Sequence, residues 1–233
     1  MADTAGPASS GGAPVNLMEP AREALREVAP RLAELVRSIP DPGATAIGTW
    51  TAAEVAAHIS HAYRADINAL TGQQLPEVTV TKPGMDTLTA GLLAEDTERD
   101  PAALADRIAA LADEFDDAAS RSGAEETVGW LQGARLTPCT VACHLLEECL
   151  IHGLDLARVT GRPWPVPRDY GLLVVEGFAY RLTAALPPTA FVDQEKAANY
   201  RARLDIRLRG GGRTTFAFDG GSLTFEEIGR AHV

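Results

Sequence analysis

Cysteine is scarce in this chain of 233 residues: Cys139, Cys143 and Cys149 are all there is, clustered in one stretch. An odd, clustered set excludes a disulfide framework and fits reduced thiols in a cytosol, so a cytoplasmic location is expected. The start, Met1 to Pro7, has neither the basic nor the apolar region of a signal peptide. No run of about 18 apolar residues occurs, so no membrane-spanning helix is expected. Basic residues are in deficit, 21 Lys and Arg against 32 Asp and Glu, which argues against nonspecific nucleic-acid binding. A phosphate loop, a dinucleotide fingerprint and a nucleophile elbow are all missing, which removes three common catalytic classes. What remains is a globular composition, long enough for one large domain or a medium and a small one.

Taken in order, residues 1–15 are rich in Gly, Ala, Ser and Pro and are expected to form a disordered tail. A first helix is predicted over Met18–Ser38, with Leu25, Val28, Leu32, Leu35 and Val36 at helical spacing. Pro30 should kink it or break it in two. Thr51-Ala-Ala-Glu54 is a capping-box pattern that opens a second helix reaching about Leu70. On that helix His58 borders the apolar face, whereas His61 falls toward the polar side and is expected at the surface. A further helix is predicted from Met85 to Glu98. Asp100 and Pro101 then cap another, which runs to about Arg121.

The central stretch is Thr140–Gly161. At 100° per residue, His144, Glu148, His152 and Asp155 fall within a sector of about 80°. Val141, Ile151 and Val159 share it, so the sector is expected to face inward. Glu147 and Arg158 occupy a separate edge that should meet water. A buried carboxylate among imidazoles is costly unless paired, hydrogen-bonded or bound to metal. Glu148 and His152, one turn apart, with His58 from a facing helix, make a His/His/Glu set suited to a divalent metal, most simply Zn²⁺ with an open position. The alternative is a structural salt-bridge cluster. Asp155 could orient a ligand imidazole or pair with Arg158. His144 reads as a satisfied polar residue, and Cys149 as packing.

A proline-rich link, Arg162–Pro167, marks the expected domain boundary. A helix over Arg168–Leu186 and strands near Arg203–Arg209, Thr214–Phe218 and Ser222–Phe225 then suggest a small α/β unit. The final residues, Glu227–Val233, resemble the translation of a sequencing-adapter oligonucleotide, so the natural C-terminal domain is expected to be longer. A genuine stop codon after Val233 at the genomic locus would overturn this. No function is assigned to His232.

Two stretches resemble the mycothiol-dependent maleylpyruvate isomerase family, within the DinB-like metal-binding superfamily. One is Trp50–His58. The other is Glu148–Pro163, which is similar to the family signature Glu-x-x-x-His-Gly-x-Asp-x-Ala-x-x-x-Gly-Arg-Pro. The resemblance implies a mainly α protein: a disordered tail (1–15), a DinB-like metal-binding four-helix bundle (16–165), and a small, incomplete α/β domain like the sterol-carrier fold (166–233). It implies a metal, usually zinc, held by His58, Glu148 and His152. It also implies mycothiol, the low-molecular-weight thiol of actinobacteria, as cosubstrate for a small electrophile. The family's type reaction isomerises maleylpyruvate to fumarylpyruvate; a thiol transferase is the close variant. Its C-terminal domain is thought to supply an active-site arginine, for which Arg203, Arg207, Arg209 and Arg213 are all candidates. The readings in competition are a noncatalytic metal-stabilised binding or regulatory module and a metal-dependent hydrolase.

Overall fold

The computed structural model describes residues 17–78, 82–123 and 126–228. The expected N-terminal tail, and the last residues including His232, lie outside the described residues. Four long helices make the bundle: α1 (Met18–Arg37), α2 (Ala52–Thr71), α4 (Pro101–Arg121) and α5 (Pro138–Thr160). Each of α1 and α2 packs against both α4 and α5, so α1 lies diagonally across from α2. The shared core is aliphatic: Val28, Leu32 and Val36 of α1, Ile59 and Ile67 of α2, Leu104 and Ile108 of α4, Leu145, Leu146 and Leu156 of α5. Tyr63 and Phe115 meet edge to face in it, ring centroids 6.3 Å apart. A shorter helix, α3 (Lys82–Glu95), lies against α2.

Local chemistry sets the helix ends. Thr51 caps α2, and its backbone N–H donates in return to Glu54 Oε2 at 2.8 Å, closing the capping box. Asp100 caps α4 ahead of Pro101, and Thr137 caps α5 ahead of Pro138. Gly161 ends α5 at φ +65°, a left-handed conformation that side chains resist.

Several expectations are corrected. Pro30 does not break α1, which continues through it. Pro30 and Arg26 both lie on the exposed side, where water can take the carbonyl that the missing amide leaves free. Helix α3 starts three residues earlier than predicted and stops at Glu95, because the Asp96 side chain turns to accept from the backbone N–H of Glu98. Two small antiparallel ribbons were not anticipated: β1 (Thr45–Ile47) with β2 (Trp50–Thr51), and β3 (Val128–Gly129) with β4 (Arg135–Leu136).

Beyond the proline-rich link, α6 (Arg168–Leu172) passes through a π-helical segment (Leu173–Ala179) into α7 (Tyr180–Ala185). The π segment lies against α5, with Gly177 directly over Cys143. After a short α8 (Gln194–Ala197), β5 (Arg201–Arg207), β6 (Arg213–Asp219) and β7 (Ser222–Ile228) form an antiparallel sheet in that order. Phe216 and Phe225 of the sheet meet Tyr180 of α7, at 5.8 and 6.4 Å between ring centroids. The interrupted helix thus touches the bundle on one side and the sheet on the other.

Candidate metal centre

The capping box and the β1–β2 ribbon fix where α2 begins. In that ribbon Ile47 pairs with Trp50, and His58 follows two turns later. Helix α5 brings Glu148 and His152 to the same height from across the bundle. His58 Nε2 lies 3.2 Å from Glu148 Oε2, and His152 Nε2 lies 3.4 Å from the same oxygen. One ligand atom from each of the three residues falls within 4.8 Å of the others. The two imidazoles meet edge to face at 5.0 Å, and the Trp50 ring covers both, at 5.0 Å from His58 and 6.4 Å from His152.

The donor set fits a metal. Tetrahedral zinc with bonds of about 2.0–2.2 Å holds its donors about 3.3–3.6 Å apart, and both nitrogen–oxygen separations lie close to that edge. Second contacts orient the donors. His152 Nδ1 lies 3.2 Å from Asp155 Oδ2, while Asp155 Oδ1 accepts from Arg158 at 2.8 Å. Asp155 thus meets the His152 imidazole and Arg158 at once.

The glutamate's other oxygen is held from behind. His144 Nε2 lies 3.2 Å from Glu148 Oε1, and His144 Nδ1 lies 2.7 Å from Asp66 Oδ2. Asp66 is fully buried and accepts from the Trp130 indole N–H at 2.9 Å on its Oδ1. Asp66 and Trp130 were missed by sequence reasoning. The signal was there for Asp66, a lone acid in the apolar stripe of Ile59, Ala62, Tyr63 and Ile67.

The charges follow from these contacts. Burial alone would raise the Glu148 carboxyl, but hydrogen bonds from His144, His152 and His58 hold it well below its ordinary range. Burial opposes charge on His144, yet Asp66 and Glu148 raise it well above the usual imidazole range. His152 is raised too, by Glu148 and Asp155 against burial. Glu147 is raised by burial and by the Glu148 charge beside it. Burial pushes the Cys149 thiol up to about 12, with Tyr63 Oη at 3.4 Å, which agrees with a packing role.

Three expectations about this neighbourhood change. Ile151, expected to face inward, is 46% exposed. Glu147 is half-buried rather than solvated, and its carboxylate forms a second close group with His144 and Glu148. His61 is not a free surface residue: its Nε2 lies 3.0 Å from Asp96 Oδ2, beside Arg107. His144 is indeed satisfied, but by two carboxylates rather than incidental partners.

The family profile described as "Mycothiol maleylpyruvate isomerase N-terminal domain" matches residues 21–157. The chain belongs to this family. The match runs from α1 almost to the end of α5 and takes in His58, Glu148 and His152. A solved structure titled "Crystal structure of the mycothiol-dependent maleylpyruvate isomerase" is similar, with a TM-score of 0.50 and 17% identity, over 69% of this chain and 67% of that one. That likeness shows the fold, a DinB-like helical bundle with a small strand-bearing part. No curated protein matches the chain. Arg213 pairs with Asp205, and Arg209 offers its carbonyl to Arg168. Among the described residues, no hydrogen bond or ion pair joins Arg203, Arg207, Arg209 or Arg213 to the three ligand candidates.

Proposed function

We propose that the chain is a metal-dependent, thiol-using enzyme of the maleylpyruvate isomerase type, with His58, Glu148 and His152 holding one divalent cation. The observation that carries this is the convergence of two imidazole nitrogens and one carboxylate oxygen at zinc-like spacing, from two facing helices. Two nitrogens and one oxygen favour zinc over the hard cations that take oxygen alone. When bound, such a cation supplies the positive charge that favours a thiolate over a thiol at neutral pH.

The chain's own residues prepare that site. Asp155 accepts from His152 Nδ1–H, which turns the Nε2 lone pair toward the centre. Trp50 lies over the two imidazoles, at 5.0 and 6.4 Å between ring centroids. The thiolate of the cosubstrate adds to a carbon of the substrate's cis double bond, and the π pair moves onto the conjugated carbonyl as an enolate. The former double bond is then single and rotates. Return of that pair expels the same thiolate and restores the double bond as trans. Mycothiol and maleylpyruvate, named for the solved neighbour, are the proposed thiol and model substrate.

This reading assigns the metal chemistry to residues 16–165 and treats 166–233 as a separate small unit. It also places the protein in the cytoplasm. Among the described residues no helix is long and apolar enough to cross a membrane.

The test is metal content by elemental mass spectrometry, paired with turnover of maleylpyruvate with and without mycothiol. Near one zinc per chain, lost in His152→Ala, with turnover only when thiol is present, is the expected result. A folded protein that takes up no metal after zinc incubation overturns the reading. Binding without turnover identifies a carrier, and turnover without thiol identifies a hydrolase.

A further inference from the structure

We propose that Asp66 and His144, closed by Trp130, are positioning residues that commit Glu148 to one-oxygen ligation. The inference rests on the metal reading above and deepens it. The two carboxylate oxygens of Glu148 have different partners. Oε2 faces both ligand imidazoles, at 3.2 and 3.4 Å, while Oε1 is 3.2 Å from His144 Nε2. A carboxylate whose second oxygen is held by another group offers the metal only the first. One-oxygen ligation keeps the protein donors at three, which leaves room for thiol and substrate.

The His144 ring has no freedom to release that oxygen. Its side chain is 9% exposed, with Nδ1 2.7 Å from Asp66 Oδ2. Trp130 meets it edge-on at 4.9 Å and Phe178 lies at 4.8 Å, between ring centroids. Asp66 in turn is fixed through its other oxygen by the Trp130 indole N–H at 2.9 Å. Positions from α2, α5, the segment between β3 and β4, and the π segment therefore converge on one carboxylate oxygen. His144 is also, with Glu147 and Glu148, a member of the second close group of metal-ligand atoms. Its Nε2 faces Glu148 Oε1, whereas both His58 and His152 face Oε2, so it stands on the opposite side of the carboxylate from those two imidazoles. A buried ionic chain is commonly no better for folding than apolar residues of similar volume, so stability alone is a weak reason for the arrangement.

Two substitutions separate the halves of the imidazole. In His144→Gln the amide nitrogen follows the same bond path as Nε2 and keeps a donor for Glu148. In His144→Asn it follows the path of Nδ1 and keeps only the Asp66 contact. Each variant, and the wild type, is loaded with cobalt(II) and zinc; folding is checked by circular dichroism. Zinc affinity is measured by chelator competition, and the visible cobalt spectrum reports coordination number. The expected result is affinity and spectrum close to wild type for H144Q. For H144N, a loss of about ten- to hundredfold in affinity is expected, with a weaker cobalt spectrum as Oε1 joins the metal. A purely structural histidine would lower stability in both and leave the metal's spectrum alone. Folded variants with matching affinities and spectra overturn the proposal.

The wild type alone gives a second readout that survives any folding failure. Its zinc-induced difference infrared spectrum should show the widely split carboxylate stretches of one-oxygen ligation; a narrow splitting overturns the proposal. A wild type that binds no metal overturns the functional reading and this inference with it. A wild type that binds metal through both oxygens overturns this inference only.

Discussion

Gly153 directly follows His152, and a methyl group there should collide with the Trp164 indole. An added Cβ would stand under 3.0 Å from three atoms of the Trp164 indole, Cε2, Cζ2 and Nε1. That indole cannot simply swing away. It is buried, donates its N–H to Leu150 O at 3.1 Å, and carries Arg31 over its face at 4.9 Å. Overpacking of this kind costs about 1–3 kcal/mol. Losing the indole hydrogen bond adds about 0.5–1.5 kcal/mol. Against this, alanine is a better helix former than glycine by about 1 kcal/mol. The net expectation for Gly153→Ala is a destabilisation of about 1–3 kcal/mol, read from urea unfolding followed by far-UV circular dichroism. The decisive control is the same change in a Trp164→Leu background. With the indole gone, only the propensity term survives, so Gly153→Ala should become neutral or stabilising there. Equal destabilisation in both backgrounds would refute the close-approach argument, because the cost would then come from somewhere other than Trp164.

Further outcomes are expected. Trp130→Phe removes the donor to the buried Asp66 and should cost about 1–3 kcal/mol of stability in urea unfolding while leaving ring packing largely intact. Thr51→Ala removes the side-chain cap of α2 and should cost about 1 kcal/mol by the same measurement, with Glu54→Gln retaining part of the box. In the metal-free protein, His144 is raised from its ordinary 6.5, so its contribution is full below that value and fades as pH rises through the folded one. Glu148 is lowered from 4.5, so its contribution is full above that value and fades as pH falls through the folded one. The stability gap between wild type and Glu148→Gln should therefore be widest between about 4.5 and 6.5, and a gap independent of pH would contradict it. Zinc binding should release protons and weaken as pH falls, since His152 is raised and must give up its proton to act as a ligand; calorimetry in two buffers of different ionisation heat reads this.

Much of this site is written locally. Glu148 and His152 share a face because the helix repeats every 3.6 residues, and both helix starts are spelled out by Thr51 with Glu54 and by Thr137 with Pro138. Those signals need only a few neighbouring residues, so the bundle and the Glu148–His152 pair could be anticipated from the chain. The resemblance of Trp50–His58 and Glu148–Pro163 to one family narrowed the choice of partner helices.

The rest depended on which face meets which. Ile151 directly precedes His152 on α5, yet it is exposed while His152 is half-buried. The Asp66–Trp130 contact joins residues 64 apart and the Asp66–His144 contact residues 78 apart. No local spacing carries such pairings; they exist only once α2, α5 and the hairpin between them are packed. Helical period and capping are properties of consecutive residues, so the sequence by itself determined the helices and the Glu148–His152 pair. Burial is a property of the assembled surface, and only the tertiary structure decided which Glu148 oxygen faces His58 and His152 and which faces His144.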